Sequence, residues 1–320
     1  MSRSGSRAAG LAVGYLADLL FADPRAGHPV AGFGWFASRV EDITYRDSRA
    51  AGLAHTGLLA GATVLAGALV QRAAGRGAVR IAVIAAGAWV SLGGTTLART
   101  GSEMAGLLVA GDIPGARALL PSLCGRDPDS LDGGGLARAA CESVAENTSD
   151  ASVAPLLWAA MAGLPGVLGY RAINTLDAMI GHRSPRYARF GWAAARLDDI
   201  ANYPAARVCA VLTALCAPLV GGSPVGAVRA WRRDAGRHPS PNAGVAEAAF
   251  AGALGVRLGG PTQYRHELEI RPTLGDGPPP EAADLRRAVR LSRLVQAATL
   301  AATVAIMAVG RSVRRVSPRS

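Results

Sequence analysis

Long uncharged stretches, broken by arginine-rich polar segments, set the pattern of this chain. Residues 51–70 carry no acidic or basic charge, and neither do 81–98. Between them stand Arg72, Arg76 and Arg80, which predicts a helical hairpin with a basic turn. Residues 151–170 are uncharged but contain Pro155 and Pro165, and residues 208–228 are uncharged with Pro218 and Pro224. The apolar run at 294–310 is short and bracketed by Arg290, Arg293, Arg311 and Arg314. Residues 8–22 are apolar apart from Asp18, and no small-residue cleavage site follows them. A helical span needs about 20 apolar residues. The pattern therefore predicts an all-α, polytopic integral membrane protein with four or five spans, forming a single domain over 1–320. A soluble bundle with an Ala-rich core is the alternative. The prolines of 151–170 point to a broken or re-entrant helix, which keeps the polar segments on both sides of it in one compartment. Strand-like alternation is scarce. Residues 272–280 (PTLGDGPPP) predict a turn or linker ahead of a C-terminal helix over about 282–311.

Composition sharpens this picture. Of the 320 residues, 50% are hydrophobic and 18% charged, against about 25% charged in a typical soluble domain. All 34 basic residues are Arg and the formal net charge is +11. The absence of Lys excludes a P-loop lysine, a Schiff-base lysine and a pyridoxal-anchoring lysine. The arginines are spread between apolar segments without aromatic interleaving. Anionic lipid head groups or an anionic substrate explain the charge better than nucleic acid does. The positive-inside rule puts the basic turn at 71–80 in the cytoplasm. It applies equally to the arginines of 171–207 and 229–293, so charge alone leaves the orientation open. Cys124, Cys141, Cys209 and Cys216 form no CxxC pair and no metal-ligand spacing; Cys209 and Cys216 read as small core residues.

The chemistry concentrates in a polar segment at about 141–207. Glu142, Glu146 and Asp150 follow at steps of four, so on a helix they line one face. Like charges at that spacing repel by a few tenths of a kcal/mol. A divalent cation, arginines or solvent must offset this, and a solvated helix face with Asn147 near its cap is the competing reading. Asn174 and Asp177 share a face, with Arg171 one turn earlier, and Asp198 shares a face with Asn202. Capping and pairing of Asp198 and Asp199 with Arg196 or Arg207 is the plainer alternative. Between these helices lies GHRSPRYARFGW, whose Arg183, Arg186 and Arg189 make an arginine-rich turn suited to clamping an anion. Elsewhere, Asp23 and His28 flank a proline-containing turn. Asn242 opens an Ala-rich helix that contains Glu247, where Asn242 reads as a helix cap or part of an anion site. No GxxxxGK[ST], GxSxG or HExxH occurs.

Together these stretches resemble the CobD/CbiB family of cobalamin-biosynthesis membrane proteins, the adenosylcobinamide-phosphate synthases. The resemblance runs from about Gly14 to Gly277. Its specific parts are DPRAGHPV (23–30), ESVAENTSD (142–150), YRAINTLDAMIGHRSPRYARFGWAAARLDDIANYPAAR (170–207), SPNAGVAEAAFAGALGVRLGG (240–260) and RPTLGDG (271–277). Three positions depart from the family pattern: Ala151 and His266 stand for a usual Gly, and Arg271 for a frequent Lys.

The resemblance implies ATP- and Mg²⁺-dependent joining of adenosylcobyric acid to aminopropanol or its phosphate. It implies a plasma-membrane, multi-pass protein with the active site facing the cytoplasm. The expected partners are the corrinoid, the amine, membrane lipid and other cobalamin-pathway enzymes. On this reading Glu142, Glu146 and Asp150 ligate the metal and, with Asp177, Asp198 and Asp199, carry the catalytic carboxylates. Arg171, Arg183, Arg186 and Arg196 bind phosphates, and His28, Asn147, Asn174 and Asn242 position substrates. A Mg²⁺-dependent prenyl or phosphatidyl transferase would share the Asp/Asn clusters, but DxxD-type repeats are absent. A transporter would share the proline-broken spans but needs repeat symmetry that the sequence lacks. An accessory protein that only holds a partner enzyme is the remaining alternative.

Overall fold

In a computed structural model the described residues are 3–24, 27–182, 184–263 and 268–316. In chain order the elements begin with α1 (Arg3–Phe21), α2 (Pro29–Thr44), α3 (Arg49–Ala73), α4 (Ala78–Ser91), α5 (Gly94–Ala110), α6 (Ile113–Leu119) and α7 (Gly133–Thr148). A π-helical turn at Ser149–Val153 leads into α8 (Ala154–Ala162), α9 (Leu164–Ile180), α10 (Trp192–Cys216), α11 (Pro224–Asp234) and α12 (Ala243–Leu254). Strands β1 (Leu258–Gln263) and β2 (Leu268–Leu274) precede the long α13 (Ala282–Val316).

Local chemistry explains many of these boundaries. Ser48, Asp112, Asp132 and Ser223 cap α3, α6, α7 and α11, each accepting a backbone N–H from the first turn. Proline at the first turn helps to start α2, α6, α9 and α11. The described helices include four long and apolar enough to cross a membrane: Arg49–Ala73, Ala78–Ala110, Trp192–Val220 and Ala282–Val309. On α3, Leu58, Leu65 and Leu69 are 60%, 59% and 58% exposed, a row that lipid accommodates and water does not. In α13 the arrangement inverts that of a soluble amphipathic helix. Ser292, Gln296, Thr299 and Thr303 are buried while Ile306 and Val309 are exposed.

The chain divides into two compact units. The first takes Met1–Gly93, Ala154–Asn202 and Thr299–Ser320; the second takes Gly94–Val153 and Tyr203–Ala298.

In the first unit α1 packs on α4 and α3 packs on α9. One core gathers Leu11, Tyr15, Ile84, Leu156, Leu164 and Val167; another gathers Leu59, Leu176, Ile180 and Phe190. The predicted hairpin with a basic turn is present in connectivity, but its two helices spend their apolar faces on different partners. Arg80 is buried at that turn and donates to the carbonyls of Gln71 at 3.2 Å and Gly75 at 3.4 Å. The Gln71 side chain in turn accepts the backbone N–H of Leu164 at 2.8 Å, fixing the start of α9.

In the second unit α11 packs against α12 through Gly226 and Gly252, where a Cβ on either would overlap the other's backbone. Helix α12 also lies on α7. The strands form an antiparallel hairpin with a bulge between Leu258 and Gly260. Arg287 of α13 donates to the carbonyls of Val220, Gly221 and Leu254, tying the turn after α10 and the end of α12 to α13.

The broken helix expected over 151–170 is present, although the break falls at Gly163, at φ 75°, which separates α8 from α9, while Pro165 lies at the start of α9. Two sequence expectations are corrected here. The span expected at 208–228 runs instead over Trp192–Val220, because Pro204 is tolerated inside α10 and Gly221, in the left-handed region, ends the following turn. The linker expected at 272–280 is in part strand, since Pro272, Thr273 and Leu274 belong to β2. The C-terminal helix is found where expected.

Candidate functional site

The polar residues expected to act together occupy two groups, one in each unit.

In the first unit, α9 and the opening turns of α10 bring an aspartate and three partners into register. Helical spacing puts Tyr170, Asn174 and Asp177 on one face of α9, while Asp198 and Asn202 share a face of α10. Asn174 Nδ2 donates to one oxygen of Asp198 at 3.3 Å, and Asn202 Nδ2 donates to the other at 2.9 Å. Tyr170 donates its hydroxyl to Asn202 Oδ1 at 2.8 Å, which orients that amide towards the carboxylate. Arg171 Nη1 approaches Asn174 Oδ1 at 3.4 Å. Its Nε is buried without a partner among the described residues. Asp199 pairs with the exposed Arg196 at 3.5 Å, the short-range pairing weighed in the sequence. The side chain of Asp177 lies against Gly181, where a Cβ would overlap Asp177 Oδ1.

The arginine-rich turn has a different anchor. Arg186 forks onto Glu41 Oε1, with Nη2 at 2.9 Å and Nε at 3.3 Å, and lies over the ring of Tyr45 at 4.1 Å. Tyr187 donates its hydroxyl to the same oxygen at 3.0 Å. Glu41 is buried, so Arg186 fastens this turn to α2. Arg183 lies outside the described residues. His28 caps α2 by accepting the N–H of Val30 at 3.1 Å and stands 3.5 Å from Asp23.

In the second unit the acidic face of α7 separates into different roles. Glu142 is buried: Oε2 is paired with Arg126, and Oε1 accepts the N–H of Gly259 at 2.7 Å. Glu146 and Asp150 are partly exposed. Asn147 turns back into its own helix, donating to the Ser143 carbonyl at 2.9 Å. Asn242 stands at the N-cap of α12 but makes no capping bond with its side chain, which accepts from Arg207 at 2.7 Å. Ser240 Oγ takes the capping role, accepting from the N–H of Asn242 and Ala243.

One residue of this group carried no assignment in the sequence reading. Glu247 is 1% exposed, and neither carboxyl oxygen has a hydrogen-bond partner among the described residues. Burial, joined by the charges of Glu142 and Glu146, pushes its carboxyl well above the usual carboxylate range, against the opposing pull of Arg271 and Arg126. His238 Nε2 stands 3.8 Å from Glu247 Oε1, beyond hydrogen-bond reach, and burial holds that imidazole below its ordinary value. The clue available in the sequence was that Glu247 is the one charge in an otherwise apolar twelve-residue helix. Tyr170 was legible from its i,i+4 spacing to Asn174, whereas nothing local marked Arg126 or Glu41.

The comparisons with known proteins bear on both groups. The sequence profile described as CobD/Cbib protein matches residues 11–292. The chain belongs to the CobD/CbiB family. The protein of Mycobacterium tuberculosis (strain ATCC 25618 / H37Rv) named cobalamin biosynthesis protein CobD is 66% identical over 306 residues, covering 96% of this chain and 97% of the relative. Proteins of the same name from Rhodobacter capsulatus and Geobacter metallireducens are 45% and 43% identical, over 85% and 86% of this chain and 87% and 89% of theirs. No solved structure matches the chain. In this CobD/CbiB protein the two groups are where charged and amide side chains gather, and both fall within the matched residues.

Whether these residues fit a resident metal can be tested on the geometry. Among the described residues, no group of three or more His, Cys, Asp or Glu side chains is placed to hold a metal ion. Glu142 has both oxygens committed to Arg126 and Gly259. The described side chains therefore do not fit a metal cage built by the protein alone.

Proposed function

We propose that this CobD/CbiB protein serves cobalamin biosynthesis as an ATP-dependent amide synthase. It would join the carboxylate of adenosylcobyric acid to (R)-1-amino-2-propanol or its O-phosphate, giving adenosylcobinamide or its phosphate. The observation that carries this reading is the family match over residues 11–292, which spans both polar groups. The chemistry of the residues supports it. Activating a carboxylate needs cations beside phosphate oxygens, and amide formation needs a group that accepts a proton from the amine.

Arg171, with a buried unpartnered Nε, and the exposed Arg196 are the arginines of the first unit suited to phosphate. Asp198, held between Asn174 and Asn202, fixes the α9–α10 pair on which Arg171 and Arg196 stand. Mg²⁺ is proposed to arrive on the nucleotide, as it does where one or two carboxylates and phosphate oxygens suffice. The protein is proposed to lie in the plasma membrane with the reacting groups on the cytoplasmic side, where ATP is supplied.

The test uses purified protein in lipid nanodiscs with ATP, Mg²⁺, adenosylcobyric acid and aminopropanol phosphate. Mass spectrometry follows corrinoid and nucleotide together. A new amide is the expected result, with ADP marking an acyl phosphate and AMP an acyl adenylate. No amide with either form of the amine, on folded protein, would overturn the reading.

A further inference from the structure

Among the buried polar atoms of the second unit that have no hydrogen-bond partner among the described residues are both oxygens of Glu247, Nε2 of His238 and Nη1 of Arg126. Buried polar groups are almost always satisfied, and an exception calls for an explanation such as a catalytic role or a group that binds there. The groups are also held in place. Glu247 projects from α12, whose residues from Gly244 to Ala251 are all buried. His238 Nδ1 stands 3.1 Å from the backbone nitrogen of Ser240 and 3.2 Å from its carbonyl oxygen, which holds the ring in place with Nε2 unpartnered among the described residues. Arg126 is fixed through its other nitrogen by Glu142.

The chemistry of the unmet groups defines what would meet them. Glu247 offers acceptors and needs a donor, best a cationic one. Arg126 offers a donor and needs an anion, and Arg271 adds a second positive charge acting on the same carboxyl. A metal ion would answer Glu247 but leave Arg126 unmet and face two guanidinium groups. A small molecule with an ammonium at one end and a phosphate at the other answers both.

We infer that Glu247 and Arg126 form a binding site for a short phosphorylated primary amine, with Glu247 receiving the ammonium and Arg126 the phosphate. The inference rests on the amide-synthase reading for the fate of that amine and deepens it by naming the residue that receives it. Glu247 is then a catalytic residue. When the ammonium arrives, the neutral Glu247 acid releases its proton to solvent and pairs with the cation. It next takes one N–H proton back, leaving a neutral amine. The nitrogen lone pair attacks the activated carboxyl carbon, forming the C–N bond. The C–O bond to the phosphate-type leaving group breaks with its electron pair on oxygen, and the second N–H proton departs to solvent. The titratable and charged groups acting on Glu247 throughout are Glu142 and Glu146 of α7, Arg126 before it, His238 before α12, and Arg271 of β2.

The experiment titrates aminopropanol phosphate into full-length protein in nanodiscs by calorimetry, in buffers of differing ionisation enthalpy. Wild type should bind with release of a proton. Glu247→Gln and Glu247→Met should bind at least tenfold more weakly without that release. Both should melt at the same temperature as wild type or higher, since an unpartnered buried acid is removed. A merely structural Glu247 would give lower melting temperatures and unchanged binding, which would overturn the inference. Equal affinity and equal proton release in the variants would also overturn it. Amide formation by wild type is measured in parallel. If wild type makes the amide while Glu247→Gln binds the amine normally, the site falls and the synthase reading stands. If wild type binds the amine with proton release but makes no amide, the synthase reading falls and the site stands.

Discussion

The guanidinium of Arg126 and the carboxylate of Glu142 meet inside the second unit with side chains only 5% and 3% exposed. Breaking such a pair from one side strands a buried charge, which costs about 3–5 kcal/mol. Arg126→Met and Glu142→Leu should each destabilise by about that amount, Glu142→Leu also freeing the N–H of Gly259. The double variant should recover much of the loss, because no unpaired charge remains. Unfolding in detergent, followed as a double-mutant cycle, checks this; simple additivity of the two losses would show that the pair is not coupled.

Asp198 is the point where two amides converge. Asp198→Ala leaves Asn174 and Asn202 without their acceptor, a cost of about 1–3 kcal/mol per group that finds no other partner. Tyr170→Phe removes one hydroxyl from the buried pair with Asn202 and should cost about 0.5–1.5 kcal/mol. Melting temperatures of the two variants should therefore fall in that order, and a larger loss for Tyr170→Phe would refute the proposed hierarchy.

Asp234 supplies a pH dependence with a definite sign. Burial alone would raise its pKa, but Arg233, the N–H of Gly275 at 2.9 Å and the charge of Arg237 hold the carboxyl below its usual value. Its folded value being depressed, its contribution to stability is present above the unfolded value of about 3.9 and is lost as pH falls through the folded value. Asp234→Asn should be less stable than wild type at neutral pH. The gap should close on acidification, and melting curves between neutrality and strong acid would test it; a gap of constant size would count against it.

Gly259 takes φ 77° at the bulge in the hairpin, and a Cβ there would overlap the carbonyl oxygen of Pro272. Gly259→Ala adds left-handed strain of about 1–3 kcal/mol and moves the N–H that Glu142 accepts. The expected result is a lowered melting temperature together with faster amide hydrogen exchange in 258–274. Exchange unchanged there would mean that the bulge absorbs the methyl.

Period and apolar length determined the helices of this protein. The uncharged run at 51–70 lies in a helix long and apolar enough to cross a membrane, the form in which a chain satisfies its own backbone in lipid. The i,i+4 spacing of Asp198 and Asn202 survived intact, since partners on one helix are fixed by local geometry. Only the tertiary structure decided which helix each apolar face would meet, and hence that α3 and α4 part company. It also decided the fate of the acidic face at 142–150. The sequence aligned three carboxylates, but the arginine that claims Glu142 lies 16 residues away and the N–H that completes it 117 residues away. The span over Trp192–Val220 was displaced from its expected place because apolar runs locate a helix, while its ends depend on residues such as Pro204 and Gly221 whose tolerance is set by neighbours. Glu247 stood in plain sight in the sequence as a lone charge, but its lack of a hydrogen-bond partner among the described residues is a property of the packed interior, which no local pattern records.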